Sequence, residues 1–128
     1  MSGEIPSFAK YVFLLGFLTS ISFGIWAFIL PESFSTITGW PVEPAAMRLV
    51  GSFLTMLGIA AIFAYRATSW KEVELYVLMI IIWTILGTIS LVWSTIVVPL
   101  PIIGWALSGL LMLFFVLYLF IYMKARSD

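Results

Sequence analysis

The segment Trp40–Gly58 decides how this chain folds, and it reads WPVEPAAMRLVGSFLTMLG. A Trp-Pro pair and a second proline, Pro44, precede an apolar stretch that small residues interrupt. Proline is favoured as the first residue of a helix, and a carboxylate such as that of Glu43 is favourable beside a helix N-terminus. The segment therefore predicts the start of a long apolar helix that carries one cation, Arg48.

Arg48 shares a face of this predicted helix with small and polar residues. At about 100° per residue, one arc of about 120° holds six residues. They are Arg48, Gly51, Ser52, Thr55, Gly58 and Ile62. Small residues let helix backbones approach closely, and lipid disfavours a charge. We therefore expect this face to contact other helices.

The composition indicates a membrane protein. Of 128 residues, 63% are hydrophobic and 9% are charged, whereas soluble domains average about 25% charged residues. So few charges cannot cover a surface that faces water, so lipid must cover most of it. The net charge is zero, which argues against a nucleic-acid partner. The chain has no cysteine and no histidine, so we expect neither a metal site nor a cofactor held by these ligands.

Four apolar segments predict four membrane spans, at about 11–30, 45–65, 75–98 and 102–123, because about 20 residues cross the hydrocarbon core. The expected fold is all-α, a four-helix transmembrane bundle that forms a single domain over residues 1–128. The segment Glu32–Thr38 predicts a short interfacial helix in the first outer loop, ended by Gly39. The short link Pro99-Leu100-Pro101 predicts that the last two spans are antiparallel neighbours.

Charge and tryptophan positions predict the orientation. Five cations, Lys10, Arg66, Lys71, Lys124 and Arg126, lie on the side of the termini, and the opposite side has only Arg48. Cytoplasmic loops carry an excess of Lys and Arg, so both termini are expected in the cytoplasm of a cell-membrane protein. Tryptophans are expected to anchor both interfaces. Those predicted for the outer side are Trp26, Trp40, Trp93 and Trp105, and the one for the inner side is Trp70.

Small residues recur at helical spacing in every span, and we interpret them as helix-packing positions. They are Gly16, Ser20, Gly24, Gly51, Thr55, Gly58, Gly87, Thr88, Gly104 and Ser108. The alternative, a path for a polar substrate, is less favoured because the chain contains no Asn or Gln. Proton-coupled transport is also disfavoured, since every carboxylate lies outside the predicted spans.

Two further features have competing interpretations. Arg48 is expected to pair with Glu32 or Glu43 and so to hold the outer loop against the bundle; the alternative is that it binds an anionic headgroup or ligand. Trp83 and the Phe114-Phe115 pair are expected in core packing, with an apolar pocket as the less favoured alternative.

The first half of the chain, residues 11–65, resembles small four-helix membrane proteins of the DoxX-like group. The residues that carry the resemblance are Pro31, Gly39-Trp40, Arg48-Leu49-x-Gly51 and Leu57-Gly58. The resemblance implies a four-helix bundle, often of unknown function and sometimes associated with membrane-bound oxidoreductases. No catalytic residue carries over, because the matched positions are structural.

The sequence favours a non-catalytic protein, because no base adjoins its serines and threonines to activate them as nucleophiles. The first hypothesis is an accessory or structural subunit of a larger membrane complex, or a homo-oligomer. Its partners would be the lipid bilayer and either other membrane subunits or further copies of itself. The alternative is a binder or carrier of a lipid-like or anionic small molecule at the outer membrane face.

Overall fold

The computed structural model describes residues 4–41, 43–97 and 101–127, and this part of the chain holds five helices and no strand. The helices are α1 (Ser7–Ile29), α2 (Pro31–Thr38), α3 (Pro44–Arg66), α4 (Trp70–Val97) and α5 (Ile102–Ser127). Four of them are long and apolar enough to cross a membrane. The prediction of an all-α, four-span bundle with a short helix after the first span is confirmed, and the chain is a multi-pass integral membrane protein.

The long helices extend beyond the predicted spans. Helix α1 begins at Ser7 rather than residue 11, α4 begins at Trp70 rather than residue 75, and α5 continues to Ser127 rather than ending at residue 123. Hydropathy marks only the part of a helix that crosses hydrocarbon, whereas polar turns at its ends remain helical in the interface. The predicted span end at Val98 and the first two link residues, Pro99 and Leu100, lie outside the described residues.

Local sequence explains where α2 ends and where α3 begins. Gly39 follows α2 with a φ of 77°, in the left-handed region that glycine adopts most easily, and its N–H donates to Ser35 O (2.9 Å). Pro44 is the first residue of α3, and the Glu43 carboxylate accepts a hydrogen bond from Ala46 N at 2.7 Å. Both helix boundaries agree with those expected from Gly39 and Pro44.

Two side chains stabilise the link between α3 and α4. The ammonium of Lys10 on α1 donates to Tyr65 O at 2.7 Å and also to Ala67 O, so it satisfies carbonyls at the end of α3. The Glu72 carboxylate accepts from Thr68 N at 2.7 Å and from Ser69 N at 3.1 Å, and so caps the start of α4. This link is therefore tied to three helices.

The helices pack as two antiparallel pairs, α1 with α3 and α4 with α5, and contacts between the pairs are fewer. In the first pair the backbones cross at glycines. A Cβ atom added to Gly51 would lie 2.7 Å from Gly24 O and 2.5 Å from Phe28 N, which is closer than real Cβ contacts. Gly24 and Gly51 therefore set the separation of α1 and α3, as the small-residue pattern predicts.

The two pairs meet tightly at the end of the bundle that carries both chain termini, here called the termini end. Phe13 of α1 packs against the rings of Tyr76 and Tyr118, at centroid distances of 5.8 and 5.9 Å. The two tyrosine hydroxyls are 3.0 Å apart and share a hydrogen bond between α4 and α5. Around them lie the buried residues Ala9, Val12, Leu57, Ala64, Trp70, Val73, Val77, Ile80, Ile121 and Ala125. The opposite end, here called the α2 end, is packed differently.

An apolar cavity as the candidate functional site

A cavity of about 450 Å³ lies between the two helix pairs at the α2 end. Ligand sites in proteins usually have volumes of about 300–1,000 Å³, so this cavity is large enough for a small molecule. All five helices and the link between α2 and α3 contribute to its walls. The lining residues are Thr19, Ser20, Phe23, Ala27, Phe34, Trp40, Glu43, Ala46, Met47, Val50, Leu54, Trp83, Leu91, Leu107, Leu110, Leu111 and Phe114.

The walls are apolar along most of their length. Five of the seventeen lining residues carry a side-chain oxygen or nitrogen: Thr19, Ser20, Trp40, Glu43 and Trp83. The remainder consists of aliphatic side chains, mainly leucines from α3, α4 and α5, and of aromatic rings from α1, α2 and α5. Such a surface gains free energy when it is taken out of water and covered by an apolar molecule.

Helix α2 closes one end of the cavity and is itself held firmly. Phe34 is 2% exposed, and its ring lies 5.2 Å from Trp26 and 6.0 Å from Trp40, centroid to centroid. The indole N–H of Trp26 donates to Ser33 Oγ at 3.2 Å. The aromatic contacts and this hydrogen bond fix α2 to the end of α1, so the cover of the cavity is a structured element.

Glu43 is the one ionisable residue among those that line the cavity. Its carboxylate accepts the Ala46 N–H at 2.7 Å. Hydrogen bonds from Ala46 N and Ala45 N, and to a smaller degree the charge of Arg48, lower the pKa of Glu43. The Glu43 side chain is exposed, so its negative charge lies at the protein surface beside the α2 end of the cavity.

Arg48 is turned away from this cavity and lies beside Glu32. Its Nη2 atom is 3.8 Å from Glu32 Oε1, and the two side chains are 49% and 65% exposed. Of the two acidic partners that the sequence left open, the structure places Glu32 in the ion pair, while Glu43 caps α3. The pair joins α2 to α3 across the surface, and Arg48 is not among the lining residues.

A groove between α3 and α4 adjoins the cavity. Four residues line both spaces: Val50, Trp83, Leu91 and Leu111. The groove also includes Leu49, which is 73% exposed. Trp83 contacts Phe53 of α3 across this groove at 5.6 Å between ring centroids. The cavity and this groove therefore share part of their walls, and the groove lies on a surface that lipid covers in a membrane.

The predicted packing residues divide between helix contacts and the cavity. Gly24, Gly51, Thr55 and Gly58 lie between α1 and α3, and a Cβ on Gly16 would meet the Tyr118 hydroxyl at 3.1 Å. Ser20, by contrast, lines the cavity.

In the second helix pair, a Cβ on Gly87 would lie 3.0 Å from Leu111 Cδ1. Buried Thr88 and Ser108 donate to Thr84 O and Gly104 O, four residues earlier in their own helices. Ser52 of the predicted face is exposed.

The predicted interface tryptophans also divide. Trp93 and Trp105 are 68% and 50% exposed, as lipid-facing anchors would be. Trp26 and Trp40 are half-buried against α2. Trp70 is only 1% exposed and packs against Tyr122 at 6.1 Å. Because it lies on the face of α4 that meets the other helices, Trp70 is a core residue at the termini end and not a lipid-facing anchor.

From the sequence, an apolar pocket is the less favoured alternative for Trp83 and Phe114, as it is for Phe115. Trp83 and Phe114 do line the cavity, whereas Phe115 does not. The sequence indicates Lys10 only as one of the cations that predict the orientation, whereas the structure shows that its ammonium caps α3. The signal for Glu72 was present as Ser-x-x-Glu at Ser69–Glu72, a known N-capping pattern. No local pattern marks the cavity, because its walls come from five helices.

No protein-family model, curated protein or solved structure matches this chain. The resemblance to the DoxX-like group therefore stays a prediction, and the site has to be interpreted from its own geometry.

Proposed function

We propose that this membrane protein binds an apolar, lipid-like molecule in the cavity at the α2 end. The observation that carries the proposal is the cavity itself, about 450 Å³ in volume and lined mostly by Leu, Phe and Trp side chains. A void of this size lowers packing density and costs stability unless something fills it. A bound apolar molecule supplies the missing contacts.

The route into the cavity supports a ligand that dissolves in the bilayer. The groove between α3 and α4 shares Trp83 and Leu111 with the cavity and faces lipid. At the α2 end, Phe34 and Trp40 pack against each other and form part of the cavity wall. A molecule already in the membrane reaches the site without crossing water, which suits a binder or carrier of lipid-like compounds.

We further propose that the protein is not an enzyme. Among residues 4–41, 43–97 and 101–127, no group of three or more acidic side chains comes together as a metal site would require. The hydroxyls of Thr19 and Ser20 in the cavity have no histidine to activate them, since the chain contains none. The cavity residues are therefore suited to binding and not to bond breaking.

Gentle purification from native membranes, followed by native mass spectrometry, tests the proposal. We expect a monodisperse protein that retains one apolar molecule. Ser20→Trp places a large ring in the cavity and is expected to abolish retention. Ser22→Trp is the matched control, because Ser22 is exposed on the same helix.

Two results would contradict this proposal. Retention by the Ser20→Trp variant would show that the molecule binds elsewhere. A stoichiometric protein partner without any retained small molecule would instead favour the accessory-subunit hypothesis, and a stable assembly of identical chains would favour the homo-oligomer.

We also propose that both termini lie in the cytoplasm, so that the α2 end faces outward. The support is the excess of Lys and Arg at the termini end over the α2 end. Cysteines introduced at Ser35 and Ser69 are expected to react from opposite sides, with Ser35 labelled by an impermeant reagent in intact cells. Labelling of position 69 under these conditions would reverse the orientation.

A further inference from the structure

The α2 end of the cavity combines one carboxylate with two aromatic rings. Glu43, Phe34 and Trp40 all line this end, and the two rings lie 6.0 Å apart with planes inclined at 51°. A cation is attracted by the face of an aromatic ring, and quaternary ammonium groups are recognised in this way. A carboxylate beside such rings adds a direct charge interaction.

An anion is poorly suited to the same place. The N-terminus of α3 would attract one, but the Glu43 carboxylate already accepts the Ala46 N–H there. The one cation at this end, Arg48, is paired with Glu32 and is not among the lining residues. The charge of Arg48 acts on Glu43 from nearby and partly offsets the carboxylate, but the one charged group among the lining residues is negative.

The remainder of the cavity is suited to a hydrocarbon tail. Its α3 wall runs from Ala46 to Leu54, a depth of about 12 Å at the helical rise of 1.5 Å per residue. The deep part is lined by Leu54, Trp83 and Phe114, without an ionisable group. The one charged group among the lining residues, Glu43, thus lies at one end, and the rest of the wall offers apolar surface and the uncharged hydroxyls of Thr19 and Ser20. A charge at one end and apolar contact beyond it is the pattern of an amphiphile.

We infer that the ligand is a cationic amphiphile whose ammonium group lies against Glu43, Phe34 and Trp40 and whose tail extends toward Trp83 and Phe114. This inference rests on the proposed function, because it specifies the class of molecule that fills the same cavity. It also replaces the anionic ligand considered from Arg48 alone.

Three fluorescent probes that differ only in their end group test the inference. The full chain in uncharged dodecyl maltoside micelles is titrated with diphenylhexatriene, with its trimethylammonium derivative and with its propionate derivative. Energy transfer from tryptophan reports binding near Trp40 and Trp83. The Ser20→Phe variant, with its cavity obstructed, supplies the micelle background. We expect the trimethylammonium probe to bind roughly tenfold more tightly than the propionate probe.

Charge variants then locate the preference. Glu43→Gln is expected to remove it, and Glu43→Asn should do the same while keeping a side chain that caps a helix well. Glu32→Gln is the matched control, since it removes the same charge at the same end from a residue that does not line the cavity. We expect it to retain the full preference.

The outcomes separate the two proposals. Saturable binding of all three probes with equal affinity, or a preference that survives both Glu43 variants, overturns the ammonium inference and leaves the cavity as an apolar binding site. Absence of energy transfer above the Ser20→Phe background for every probe overturns the proposed function and the inference together.

Discussion

The two ends of this bundle are built from the same kinds of residue and are packed in opposite ways. At the termini end, the space between the helix pairs is filled by Phe13, Tyr76 and Tyr118. The two tyrosine hydroxyls also join α4 to α5 by a hydrogen bond. At the α2 end, the pairs enclose about 450 Å³ of apolar space. The interior is therefore filled at the termini end and leaves an apolar cavity at the α2 end.

The largest expected effect on the free energy of unfolding comes from removing one aromatic side chain at each end of the bundle. Tyr118 is 1% exposed, and Tyr118→Ala is expected to lower the free energy of unfolding by about 3–5 kcal/mol, because it empties a filled core. Phe114→Ala, one turn earlier on α5, enlarges a cavity that already exists and should cost less than half as much. Titration with a denaturing detergent, followed by circular dichroism, measures both, and equal losses would contradict the comparison.

The glycine crossing of α1 and α3 is the next test, because it sets the separation of the first helix pair. Gly51→Ala is expected to destabilise the protein by about 2 kcal/mol, since the new methyl group meets the backbone of Phe28. Gly109→Ala is the matched control, because nothing lies within 4 Å of a Cβ added there. Thermal unfolding in detergent checks the pair, and a neutral Gly51→Ala would show that the crossing is loose.

Lys10 tests how the termini end is tied to α3. Lys10→Met removes the donor to Tyr65 O and Ala67 O and is expected to cost about 1 kcal/mol. Hydrogen exchange at the backbone amides of the last turn of α3 should become faster, while exchange near the cavity stays the same. Lys71→Met, at an exposed position of the same end, serves as the control and should leave exchange unchanged.

The ion pair at the α2 end is expected to contribute little. Arg48 and Glu32 are 3.8 Å apart and largely exposed, so a double-mutant cycle of Arg48→Ala and Glu32→Ala should give a coupling of at most about 0.5 kcal/mol, which added salt reduces. If the losses in the free energy of unfolding are strictly additive, Arg48 and Glu32 do not interact. A cycle of Arg48→Ala with Glu43→Ala should show weaker coupling still.

The smallest effect concerns the pH dependence of the α3 cap. The pKa of Glu43 is lowered from its ordinary value of 4.5 by the backbone N–H groups that it accepts. A lowered pKa means that the cap stabilises the protein fully above the ordinary value and loses this effect as the pH falls through the folded-state value. The melting temperatures of the wild type and Glu43→Gln should therefore differ at neutral pH and converge in acid.

The sequence by itself determined the membrane location, the number of long helices and several of their ends. Hydropathy depends on composition, and Gly39 and Pro44 act through their own backbones, so these features need no knowledge of neighbours. The small-residue faces also predicted close contacts between helices, and the structure shows that Gly24 and Gly51 form one such contact, between α1 and α3.

Only the tertiary structure decided which apolar residues face protein, lipid or the cavity. Lipid is as apolar as a helix interface, so hydrophobicity gives no direction inside a membrane. Trp70 was therefore expected at an interface and lies in the core, while Trp83 and Phe114 line a space between the two helix pairs. For Arg48, the sequence offered two possible acidic partners. The position of α2 places Glu32 beside Arg48, whereas Glu43 lines the cavity.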